Sequence, residues 1–240
     1  TVYLNVDGRS GGEVGGSRAA HWMLLETAFA SLVSKQSSGL WSSHNDHALL
    51  NQSGKAALRG ISQEGLFIFH ANRASDINQV LQFSARHQLS SVISGGQEAW
   101  IVRDALAEAG VPVVLNALDN LPGSFDRLGA RLDNAALLHE AGVTVLFTSG
   151  ETHNARKLRQ VVGNAVANGF PYQAAISAIT SVPAAVFGGA PRLLAPGLNA
   201  DLVIWSGDPL EVDTAADQVI IDGKLDPMTS RQTQLLNRYL

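Results

Sequence analysis

The run Gly110-Val111-Pro112-Val113-Val114-Leu115-Asn116 decides the fold. It is apolar without alternation, has the length of a strand rather than of a helix, and is bounded by residues that stop regular structure. A strand with no polar side chain on either face is one that is covered on both faces, as in a parallel sheet. Three other runs share this character: Leu66 to His70, Ser91 to Ile93 and Val143 to Phe147. Each run is followed by apolar residues at helical spacing, about Asp76 to His87, Gln97 to Ala109, Ala130 to Ala141 and Asn154 to Asn168. Strand and helix in alternation predict βα units joined by right-handed crossovers, hence an α/β chain with a parallel sheet. A closed barrel takes eight such units over roughly 250 residues. The four units found here predict a partial, TIM-like (β/α) half-barrel with two open edges.

Outside this block the patterns change. Residues 7–16 hold five glycines and read as a mobile loop. Ser17 caps a helix whose apolar positions run from Ala19 to Val33. Residues 35–54 form a polar, Ser-rich connection containing His44, Asp46 and His47. Beyond the half-barrel, Tyr172 to Val186 reads as one more helix, stopped by Gly188-Gly189. The period then becomes two in Ala200 to Trp205 and in Gln218 to Gly223, two short strands of a small β module. The expected organisation is an N-terminal loop and helix region over 1–64, the half-barrel over 65–190, and a C-terminal β module with tail over 191–240. The opening Thr1-Val2-Tyr3, without an initiator Met, predicts a processed or partial product with no readable targeting signal.

Composition narrows the function. With 45% hydrophobic and 16% charged residues the 240-residue chain is neither disordered nor a coiled coil. It has no cysteine, which removes disulfides, thiolate metal sites and a thiol nucleophile. A net charge of -4 offers no basic face for nucleic acid, and no apolar run approaches the ~20 residues of a membrane span. The expected partner is a small molecule. No Gly-x-Ser-x-Gly elbow and no complete dinucleotide fingerprint occurs.

In parallel α/β folds ligands sit at the carboxyl ends of strands. His70 ends the first of the four runs, where a neutral imidazole serves as metal ligand or general base, or is simply a core histidine bonded to backbone. Glu151 and His153 follow the last run, spaced as an acid/base pair or as an ordinary helix N-terminus. Arg73 and Asn116 stand where a substrate would be bound; Arg103, Arg127 and Arg131 are further cations, the last paired with Asp133. His44, Asp46 and His47 have a metal-like composition but sit on a loop without rigid support.

The closing stretch Gly197-Leu198-Asn199-Ala200-Asp201-Leu202-Val203-Ile204-Trp205-Ser206-Gly207-Asp208-Pro209-Leu210, with Val219-Ile220-Ile221-Asp222-Gly223-Lys224, resembles the C-terminal signature of the amidohydrolase superfamily, in its imidazolonepropionase-like branch. Ala178 to Gly188 resembles the last barrel helix of that family and Ala141 to Phe147 its eighth strand. The resemblance spans about Gly65 to Lys224. It implies strands five to eight of a metal-dependent (β/α) barrel, followed by strands of a small β-sandwich. It also implies that His70 is the fifth-strand metal ligand. Gly95-Gly96 stands where the sixth-strand histidine belongs, and Gly150-Glu151 where the eighth-strand aspartate belongs. A divalent metal such as zinc would therefore meet an incomplete site, with Glu151 or His153 as substitutes.

Two functions follow from the resemblance. One is a metal-dependent hydrolase of a non-peptide C–N bond, amide or cyclic amide, with His70 as ligand, Glu151 and His153 as catalytic groups, and Arg73 and Asn116 on the substrate. The other is a catalytically silent homologue or fragment that binds a small molecule or assembles with an active partner. An open half-barrel also predicts an oligomer, or a chain completed by an N-terminal segment.

Overall fold

The computed structural model describes residues 1–8, 16–33, 49–190 and 193–239. The readings placed on the glycine-rich loop and on His44, Asp46 and His47 lie wholly or mostly outside the described residues.

All four runs are strands: β2 (Leu66–Ala71), β3 (Ser90–Gly95), β4 (Val113–Leu115) and β5 (Val145–Phe147). A fifth strand that the sequence reading does not anticipate, β1 (Val2–Asn5), pairs in parallel with β2. The sheet runs β1-β2-β3-β4-β5, parallel throughout. β1 is defined by its partner: Asn5 lies opposite His70, and Val6 N–H donates to His70 O at 3.1 Å.

The helices are α1 (Arg18–Val33), α2 (Gln52–Glu64), α3 (Ala74–His87), α4 (Arg103–Ala109), α5 (Asn134–Glu140), α6 (Leu158–Ala167), α7 (Tyr172–Ile179), α8 (Ser181–Phe187) and α9 (Arg231–Tyr239), with 3-10 turns at Ala99–Val102, Ala117–Asp119 and Thr152–Lys157. The single helix expected over Tyr172 to Val186 is two. Pro183 has no N–H to give to Ile179 O, and its ring crowds that carbonyl, so the chain breaks at Thr180 (φ -123, ψ -82). Within the connection read as 35–54, residues from Gln52 onward already belong to α2, capped by Asn51, whose side chain accepts from Gly54 N–H at 2.8 Å. The closing module has three antiparallel strands rather than two: β6 (Leu202–Trp205), β7 (Ala216–Ile221) and β8 (Lys224–Leu225). β8 is the return arm of the Asp222-Gly223 turn.

Alternation along the strands gives the parallel sheet two unlike faces. Phe67, Phe69, Ile93, Val113 and Leu115 share one face, and all are fully buried. On that face Phe83 of α3 meets Phe69 edge-on at 6.2 Å and Phe29 of α1 at 5.0 Å. Tyr3, Asn5, Ile68, His70, Ser94 and Val114 share the opposite face, and each keeps some exposure.

Candidate functional site

His70 ends β2 on the less covered face, with Asn5 of β1 and Ser94 of β3 beside it in register. By the same alternation Asn116 and Thr148, each one residue past its strand, extend this row across β4 and β5. The carboxyl ends of the sheet thus present uncharged hydrogen-bonding groups, one from each strand. Tyr3 lies near the imidazole, ring centroids 6.4 Å apart and planes 26° from parallel.

The surroundings of His70 are polar and crowded. Asp7, buried just beyond β1, brings Oδ2 to 3.9 Å from His70 Nε2. The side-chain amide nitrogen of Asn72 lies 3.3 Å from the same nitrogen, while Nδ1 is buried without a hydrogen-bond partner. Burial holds the imidazole below the usual histidine pKa against the opposing pull of Asp7, with Arg127 adding to the lowering. The ring is neutral at about pH 7.

A long connection, residues 116–133, is fastened across these ends. Glu98, itself buried, accepts from Ala74 N–H at the start of α3 (3.0 Å) and from Gly129 N–H in the connection (2.9 Å). Trp100 Nε1 donates to Gly129 O at 2.7 Å, and the Arg131 guanidinium lies 4.7 Å from the Trp100 ring centre. Asp126 accepts from Gly8 N–H at 3.1 Å and from Arg18, which also reaches buried Asp76 at 3.2 Å. Burial pushes Asp126 up, but the hydrogen bond and charge of Arg18 outweigh it and hold the carboxyl below its usual range. At Asp76 burial outweighs Arg18 and its carboxyl is raised.

The five residues singled out from sequence have unlike surroundings. His70 and Asn116 share the polar row. Asn116 Oδ1 accepts from Leu118 N–H at 3.2 Å, and its Nδ2 lies 3.7 Å from where a Cβ on Gly150 would stand. Arg73 donates to Phe125 O at 2.8 Å and lies 4.0 Å from Asp126, so it fastens the connection. Glu151 and His153 are exposed at the 3-10 turn preceding α6. The sequence singles out neither Asp7 nor Asp126, while Asn72 and Glu98 stand in the polar strand-end stretches His70 to Arg73 and Ser94 to Glu98 without an assigned role. Asp7 has a usable signal, standing directly after Tyr3-Leu4-Asn5-Val6, which becomes β1 up to Asn5.

Among the described residues, the donor set around His70 does not fit a divalent metal. Structural and catalytic zinc sites take at least three protein ligands. Among the described residues no group of three or more His, Cys, Asp or Glu could hold a metal ion. Gly95 does more than lack a donor. A Cβ there would stand 2.6 Å from Asn72 Oδ1 and 3.0 Å from His70 Cε1, and φ is +95. This backbone admits no ligating side chain at 95 without displacing its neighbours.

No protein-family model matches the chain. Amidohydrolase tasK of Hapsidospora irregularis is 36% identical to it over 90 residues, which is 36% of this chain and 9% of that protein. The crystal structure of an amidohydrolase from Thermotoga maritima MSB8 superposes with a TM-score of 0.77 at 20% identity, covering 95% of this chain and 62% of that one. A second solved amidohydrolase gives 0.53 at 21% identity, over 71% of this chain and 46% of its own. The chain therefore spans less than two thirds of the length of each of these relatives. Among the described residues no helix is long and apolar enough to cross a membrane. The structural likeness gives the fold, a parallel sheet of the amidohydrolase barrel kind with a small separate antiparallel sheet, and the likeness in sequence to an amidohydrolase extends over 90 residues.

Proposed function

We propose that β2 to β5 are the fifth to eighth strands of an amidohydrolase-type barrel, with β1 as the fourth, and that their carboxyl ends bind a small, uncharged molecule through hydrogen bonds. Ligands of this class include neutral amides, cyclic amides and polyols. The single observation that carries this reading is position 95, where the space for a metal-ligating side chain is taken by Asn72 and His70. What remains on the strand ends is Asn5, His70, Ser94, Asn116 and Thr148, a neutral row of donors and acceptors suited to a neutral ligand. The test is a thermal-shift screen of the chain against neutral amides, cyclic amides and polyols. A rise in Tm that is lost in both His70→Ala and Asn116→Ala is expected. A rise that survives both substitutions, or none with any neutral ligand, would sink the proposal.

A second reading is metal-dependent hydrolysis of a non-peptide C–N bond, with His70 as metal ligand, Glu151 and His153 as catalytic groups, and Arg73 and Asn116 on the substrate. It is favoured by an imidazole at a strand end and by the names of the similar proteins, which are amidohydrolases. It predicts a stoichiometric divalent metal, zinc for example, by elemental analysis of protein purified without chelators or a metal-affinity tag.

A further inference from the structure

We infer that Asn72 is the residue that keeps a divalent cation off His70. The inference rests on the reading of the His70 end as a neutral binding site but is decided by cation binding alone.

A metal bond to an imidazole needs a ring nitrogen with its lone pair facing open space about 2.0–2.1 Å away. Neither nitrogen of His70 offers that. Nδ1 has essentially no accessible surface, and Nε2 faces the Asn72 side chain, whose amide nitrogen stands 3.3 Å off. Asn72 is held there. It is buried, its backbone carbonyl accepts from Glu98 N–H at 2.9 Å, and its Oδ1 occupies the place beside Gly95 that any Cβ at 95 would need. Asn72 and Gly95 are thus a matched pair, the amide filling what the glycine leaves open.

Asp7 makes the arrangement consequential. Its Oδ2 lies 3.9 Å from Nε2, so a carboxylate and an imidazole already converge. A third donor would complete the minimum set for zinc. The amide, presenting N–H to Nε2, supplies the opposite: a donor where a metal needs acceptors.

The experiment is isothermal titration of the 240-residue chain with zinc ion alone, for the wild type, His70→Ala, Asn72→Asp, and Asn72→Asp combined with His70→Ala, each checked by thermal melt. No His70-dependent binding is expected in the wild type. Asn72→Asp replaces the amide with a carboxylate facing Asp7 and His70, and a gain in affinity of at least about tenfold is expected, abolished by adding His70→Ala. One equivalent of zinc bound by the wild type and lost in His70→Ala would overturn the inference. So would a folded Asn72→Asp that binds no better than the wild type. Should that variant not fold, Asn72→Ser removes the amide while keeping a short side chain, and the same two comparisons apply. A failed screen for neutral ligands would leave this result standing, and zinc binding would leave that screen standing.

Discussion

The two sheets of this chain are written in similar apolar residues and buried to opposite degrees. Phe67, Phe69, Ile93, Val113 and Leu115 of the parallel sheet are 0% exposed, whereas Val203, Ile204, Ile221 and Leu225 of the small sheet are 43%, 49%, 55% and 64% exposed. The parallel sheet meets its partners within the chain, because each crossover returns a helix to it. The small sheet borders a cavity against α7, lined by Ile176, Ile179, Leu202, Val203 and Trp205. It is tied on by Arg159, which donates to Pro209 O at 2.9 Å and to Thr214 O at 3.2 Å and lies 4.5 Å from the Trp205 ring centre, and by buried Leu210. Periodicity reports what a strand is able to bury; the cover has to come from elsewhere.

The sharpest way to break this contrast is to remove the centre of the helix-covered side. Phe83 packs on Trp22, Phe29, Phe69 and His87 at ring distances of 5.5, 5.0, 6.2 and 4.6 Å. Phe83→Ala is expected to cost about 3–5 kcal/mol by urea denaturation, combining lost transfer energy with a cavity between α1, α3 and β2. A loss below ~1 kcal/mol would mean that this layer is not the core.

A smaller effect tests the other end of the same sheet. Gly95→Ala meets both a positive φ and the Asn72 and His70 atoms, and is expected to cost about 1–3 kcal/mol. Gly110 also has positive φ, +63, with nothing within 4 Å of its would-be Cβ, so Gly110→Ala isolates the backbone contribution. If the two cost the same, contact with Asn72 contributes nothing and the packed character of the site fails.

How legible these features were in sequence depends on their length and on what they touch. β2 to β5 and α1 and α3 were readable because apolar runs and helical spacing are local and extend over several residues. β1 and β8 were not: β1 is a short mixed run that pairs with a strand some 60 positions on, and β8 is two residues long. The position of His70 and Asn116 at the carboxyl ends of the sheet was legible because strand ends are a positional rule. Asn72 and Gly95 acquire meaning only from each other, across two strands. Asp126 is 118 positions from Gly8, whose N–H it accepts, and no spacing rule reaches that far.

Acidity gives a weaker probe of the same end. Because burial lowers the pKa of His70 in the folded chain, the unfolded chain binds its proton more readily. The stability linked to His70 is thus complete above about pH 6.5, the unfolded value, and declines as pH falls towards the depressed folded value. Denaturation midpoints measured across this window should fall less steeply in His70→Gln than in the wild type. Identical slopes would show that the ring is solvated in the folded state.

The least effect is expected on the exposed side of the contrast. Ile221 of β7 is 55% exposed, so Ile221→Ser should change the stability of an isolated chain by no more than ~0.5 kcal/mol. That near-zero value is informative only together with association. If the small sheet is covered by a second copy, light scattering should report a mass above the 25.4 kDa of one chain. Ile221→Ser should then shift the population towards that single-chain mass as protein is diluted, because a polar side chain weakens an apolar contact between chains without disturbing the fold of either. A wild type that stays at the single-chain mass at all concentrations would show that no second copy covers this face. A stability loss of several kcal/mol that does not depend on concentration would place Ile221 in the chain's own core, and the contrast between the two sheets would disappear.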